Sequence, residues 1–213
     1  MMTPAVRRLM LTTHLTTSLG WMGAVLVFLA LAVIALATEN AVVVRGAYLL
    51  MAPAAWFVLV PLAHASLISG IVLSLGTTWG LFKHYWVVIK LALTCFATVV
   101  LLIYMGTFRQ MAGVAADPVI DIDAVRNASP VLHSVLALVL LMVATLLGVY
   151  KPFGMTPYGR RAYQERHSAD SQAPTLVGTA ASPTFSSWLL AGLMLAILIA
   201  FAFLHLLGAD IHH

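Results

Sequence analysis

The sequence predicts an all-α protein, a transmembrane helical bundle of about five spans with its N-terminus inside and its C-terminus outside. Three observations carry that expectation. Of 213 residues, 62% are hydrophobic and only 8% charged, against roughly 25% charged in a soluble domain. So little charge cannot cover a water-facing surface, and the expected solvent is a lipid bilayer. Five apolar runs approach the roughly 20 residues a helix needs to cross hydrocarbon, where backbone N–H groups demand internal partners and so favour helices. The basic residues also fall unevenly between the two sides.

Span one centres on Leu19 to Ala37, with a helix start near Thr3-Pro4. Arg7 and Arg8 precede it and Ala35-Leu36-Ala37 resembles a signal-peptidase site. The apolar stretch nevertheless exceeds the about 7–15 residues of a signal h-region, so it reads as a true span. Span two lies within the uncharged stretch from Ala47 to Phe82 and carries Pro53 and Pro61. Pro53 is expected in its first turn. Pro61 is expected to kink the helix and free the carbonyl of Phe57. Span three runs from Tyr85 to about Phe108 with Lys90 near its start, span four from Ala128 to Tyr150, and span five from about Ser187 to Leu207.

With the N-terminus inside, that side holds Arg7, Arg8, Lys83, Lys90, Lys151, Arg160, Arg161 and Arg166, and the outside holds only Arg45, Arg109 and Arg126. This is the bias the positive-inside rule expects of short loops. Two loops are long, the outer one from Arg109 to Asn127 and the inner one from Lys151 to Phe185. The second half of the inner loop is rich in Ser, Thr, Ala, Pro and Gly and reads as a flexible linker. The whole chain, 1–213, reads as one integral membrane domain with a flexible inner loop at about 151–185.

The basic residues sit at span ends rather than on one face, so nucleic acid is not an expected partner. The single cysteine, Cys95, lies in an apolar run and reads as a small buried residue. No phosphate-binding glycine loop, paired-cysteine motif or His-Glu-x-x-His is present, and no carboxylate falls inside a span. That last absence weakens a proton-coupled transporter, which relies on a buried Asp or Glu.

Histidine remains. His14, His64, His133 and His205 lie in spans or at their ends, where ionisable groups are functional candidates. At 1.5 Å per residue, His64 lies roughly 25 Å from the outer end of span two and His205 roughly 27 Å from the inner end of span five. Depth therefore matches His14 with His64 near the inner boundary and His133 with His205 near the outer one. Two imidazoles at one depth can hold a haem iron between them, so these four are the candidate metal ligands. One or two haem b groups are the expected cofactor. Arg109 and Arg126 are candidates for meeting outer propionates, and Arg7, Arg8 or Lys90 for inner ones. Ala137, Ala144 and Gly148 make room beside His133, or serve close helix packing.

His14, Trp21 and Gly23 form His-x6-Trp-x-Gly at the start of span one. This resembles the first span of bacterial membrane proteins of the copper-resistance CopD type and of HemJ-type protoporphyrinogen oxidases. The stretch SLGTTWGLFKHYWVVIKL ending at Leu91, with Tyr150-Lys151-Pro152-Phe153-Gly154, resembles an uncharacterised family of bacterial multi-pass proteins over most of the chain. The resemblance implies a bacterial inner membrane. For HemJ it implies a haem-linked first-span histidine, which carries over to His14, and a partner lysine on a later helix. Lys90 has the chemistry for that partner.

Three functional expectations stand. The first is a membrane b-type haem protein carrying electrons within or across the bilayer, with a quinone or a redox protein as partner. The second is a cofactor-free membrane subunit or transporter with structural histidines. The third is a HemJ-like porphyrinogen oxidase.

Overall fold

A computed structural model describes residues 2–77, 79–152 and 154–170, with side chains to residue 165. The first helix, α1, is Pro4–Ala37. Thr3 caps it by accepting from the Val6 N–H at 3.4 Å, and Pro4 fills the first-turn position where a missing N–H costs nothing. After a three-residue turn, α2 (Ala41–Ala54) starts at Asn40, whose side chain accepts from the Val42 and Val43 N–H groups. It continues through one π-helical turn, Ala55–Leu59, into α3 (Val60–Gly76). Next come α4 (Tyr85–Ala116), the short α5 (Ile122–Val125), α6 (Ser129–Tyr150) and α7 (Pro157–Asp170).

Among the described residues, four helices are long and apolar enough to cross a membrane: Pro4–Ala37, Ala41–Gly76, Tyr85–Ala116 and Ile122–Tyr150. The chain is a multi-pass membrane protein. The expected fifth span, from Ser187 to Leu207, lies outside the described residues. The four spans form a ring in which each packs on its sequence neighbours, and α6 closes back onto α1. The core along the axis includes Trp21, Phe28, Tyr48, Met51, Tyr104 and Leu140, while Phe57 and Leu50 are exposed, as lipid-facing side chains would be.

Several boundaries differ from the sequence expectation, each for a visible reason. Span two begins at Ala41 rather than Ala47, because Arg45 does not end the helix. Its guanidinium reaches across to the carbonyls of Ala115 at 3.1 Å, Asp117 at 2.6 Å and Ile120. Pro53 therefore lies late in α2 instead of in a first turn. The irregularity that Pro61 imposes is absorbed upstream, where the Val60 N–H reaches back five residues to Ala55 in the π turn. Helix α4 continues eight residues past Phe108 to Ala116, so Arg109 is helical and lies over the Trp56 ring at 5.7 Å. The first part of the inner loop carries α7. Thr156 caps α7 through the Gly159 N–H at 3.0 Å and clamps it to the turn before α4, donating from its N–H to the Lys83 carbonyl at 2.9 Å and from its hydroxyl to that of Phe82 at 2.7 Å.

Candidate functional site

The end of the bundle that holds the N-terminus contains a cavity of about 600 Å3 between α1, α3, α4 and α6. Ligand pockets usually enclose about 300–1,000 Å3. Leu11, Leu15, Leu67, Leu73, Trp86 and Val149 give it a mostly apolar wall. Among the described residues, its charged lining residues are all cations, Arg7, Lys90 and Lys151.

His14 and Lys90 meet in its wall. His14 Nε2 and Lys90 Nζ are 3.3 Å apart. His14 Nδ1 lies 3.0 Å from the Ser66 carbonyl and 3.2 Å from Ser69 Oγ. Ser69 directs its own hydroxyl proton to the Ala65 carbonyl at 2.6 Å, so toward His14 it accepts. Two acceptors at Nδ1 place the ring proton there and leave Nε2 with a lone pair. A neutral histidine held this way can accept a proton or bind a metal through Nε2. Ser18 Oγ bonds Ser66 Oγ at 2.7 Å, tying α1 to α3 one turn beyond the histidine.

Two glycines make this approach possible. A Cβ at Gly70 would stand 3.0 Å from His14 Cε1, and one at Gly148 would stand 3.1 Å from Lys90 Nζ. Gly148 stood out in the sequence as part of a small-residue face beside His133, but here it serves Lys90. Ser66, Ser69 and Gly70 were not singled out at all. The available signal was a pair of hydroxyls three residues apart, followed by a glycine, inside an otherwise apolar span.

The inner histidine pair does not meet through its rings. His14 reaches α3 close to His64 in sequence, but it touches Ser66, Ser69 and Gly70. Residues two apart on a helix do not share a face. His64 instead places Nδ1 2.8 Å from the Val60 carbonyl of its own helix. Thr17, in the turn after His14, donates to the Thr13 carbonyl at 2.8 Å.

At the opposite end His133 stacks on Tyr104, with ring centroids 4.1 Å apart. Its Nδ1 lies 2.9 Å from the Ser129 carbonyl, and Ser129 Oγ also holds the Tyr104 hydroxyl at 2.8 Å. The cavity beside it measures about 60 Å3 among the described residues, between Trp21, Phe28, Phe108 and Leu140. His205 lies outside the described residues. Arg126 pairs with Glu39 at 2.9 Å and Asp123 at 3.1 Å and donates to the Thr38 carbonyl at 2.6 Å. It locks the α1–α2 turn to the α5–α6 turn. Arg109 is engaged with Trp56. Both arginines thus make structural contacts in this arrangement.

No known family model, curated protein or solved structure matches this chain.

Proposed function

We propose that the protein binds a porphyrin in the cavity at its N-terminal end and that, as a b-type haem protein, it carries electrons within the membrane. The observation that supports this is the His14–Lys90 pair in the wall of an apolar cavity of about 600 Å3. A haem needs an apolar slot, an imidazole nitrogen with a free lone pair, and cations for its propionates. His14 Nε2, whose lone pair faces Lys90 Nζ at 3.3 Å, the leucine-rich wall, and Arg7 and Lys151 would supply these. When bound, the haem supplies a one-electron couple. The chain's part is to fix the imidazole tautomer through Ser66 and Ser69, shape the slot with Gly70 and Gly148, and exclude water with its apolar wall. A quinone or a redox protein is the proposed partner.

The test is the colour of the full-length protein purified from haem-replete cells. A Soret band at about one haem per chain is expected. A colourless preparation that also fails to take up added haem removes the reading and favours a cofactor-free membrane subunit.

One observation favours a second reading. The HemJ resemblance calls for a lysine on a later helix beside the first-span histidine, and Lys90 occupies that place. On this reading the same cavity takes a porphyrinogen as substrate, with a quinone as electron acceptor. Oxygen-independent, quinone-dependent porphyrin formation by the purified protein would favour it over simple electron carriage.

The basic bias also supports an N-terminus inside a bacterial inner membrane and a C-terminus outside. A reporter fused after His213 is expected outside and one inserted near Arg160 inside. Both on one side would mean the number of spans is not five.

A further inference from the structure

The mouth of the cavity is built differently from its depth. Arg7 on α1 and Lys151 at the end of α6 both line it and both are exposed. They belong to different elements, and no Asp or Glu is among the described residues around the cavity. Lys151 has φ 45° and ψ 49°, the sole non-glycine positive φ among the described residues. Helices commonly end with glycine in that left-handed conformation because a Cβ is disfavoured there. A lysine holding it is an outlier of the kind that gathers at functional sites. The turn aims its Nζ over the Trp79 ring, 4.7 Å from the centroid, which keeps the cation beside the opening. The Met2 N–H donates to the Gly76 carbonyl at 3.3 Å, and Met2 also lines the cavity.

We infer that Arg7 and Lys151 form an anion-recognition rim, which selects a flat apolar ligand carrying two free carboxylates at one edge and sets it with those carboxylates at the mouth. This deepens the porphyrin reading and rests on it. The apolar wall accepts the ring body, the rim accepts the carboxylates, and Lys90 is left at the depth of His14. A neutral ligand of the same shape would gain the wall and lose the rim. Charge-assisted hydrogen bonds are among the stronger ones, though exposure at the mouth weakens them, so a loss of about tenfold in affinity is expected when the carboxylates are masked.

The test uses the full chain in phosphatidylcholine nanodiscs, where no anionic lipid competes. Metal-free protoporphyrin and its dimethyl ester are titrated, with quenching of tryptophan fluorescence as the readout. The wild type is expected to bind the diacid about tenfold more tightly than the ester. Lys151→Gly keeps the left-handed turn and removes the cation. It should weaken the diacid about tenfold and leave the ester unchanged, and Lys151→Arg should restore the preference. Equal affinity for diacid and ester, with both binding well, overturns the rim and leaves the porphyrin reading standing. Binding of neither overturns both. If Lys151→Gly leaves the diacid affinity unchanged in phosphatidylcholine and alters it only in nanodiscs that contain phosphatidylglycerol, the rim is a lipid-headgroup site and the inference fails.

Discussion

Replacing His14 with alanine is expected to remove the Soret band of the haem-loaded protein, while replacing His64 leaves it in place. Depth along the helices would treat the two histidines alike. Geometry separates them. His14 faces the cavity wall beside Lys90, with Nδ1 committed to Ser66 and Ser69 and only Nε2 left for a ligand. His64 Nδ1 is turned to the carbonyl of Val60 on its own helix. Loss of a sole histidine ligand should reduce bound haem to background. Ser69→Ala should act more mildly, lowering affinity by about 10–100-fold as loss of an orienting hydrogen bond does. Haem content per chain, read as the pyridine haemochrome, measures all three. Full haem in the His14 variant, or equal loss in the His64 variant, would sink the assignment.

The second large effect is steric. Gly148→Val should abolish porphyrin binding with the bundle intact. Its Cβ alone would stand 3.1 Å from Lys90 Nζ, and the two further methyl groups must push Lys90 off His14 or fill the cavity. Gly70→Val should act likewise against the His14 ring, where the Cβ distance is 3.0 Å. Overpacking of this kind costs about 1–3 kcal/mol, enough to lower the melting temperature in detergent without unfolding the chain. Gly23→Ala and Gly106→Ala are the controls, since nothing stands within 4 Å of a Cβ at either position. Binding that survives in both valine variants would show that the ligand does not sit against the His14–Lys90 pair.

The fold class was legible because membrane solvation is written in composition and run length. The limits of α1 and α6 were legible too, since Thr3-Pro4 marks the first start, and Pro130 sits in the first turn of the second helix. Span two was misplaced because an arginine looks like a boundary until its carbonyl partners on another segment are seen. Thr156 carries the order of α7, but its partners are the carbonyls of Phe82 and Lys83, more than seventy residues away, and spacing cannot announce them. In the candidate site, depth along the helix was readable and azimuth was not. His14 does reach α3 near the level of His64, on a face carrying serines and a glycine. Lys90 had the right chemistry in the sequence, and only the packing of α4 against α3 and α6 brings it to His14.

The ring order of the spans has a consequence for how the site comes into being. Its walls come from α1, α3, α4 and α6, and α6 is the helix that closes back onto α1. While the chain is being synthesised, Lys90 enters the bilayer before Gly148 and Lys151 exist. The walls that the described residues give the pocket are therefore a late product of translation, assembled only once the fourth span has emerged and docked on the first. A nascent chain would lack a wall of the proposed porphyrin site, and loading would report that the bundle has been assembled.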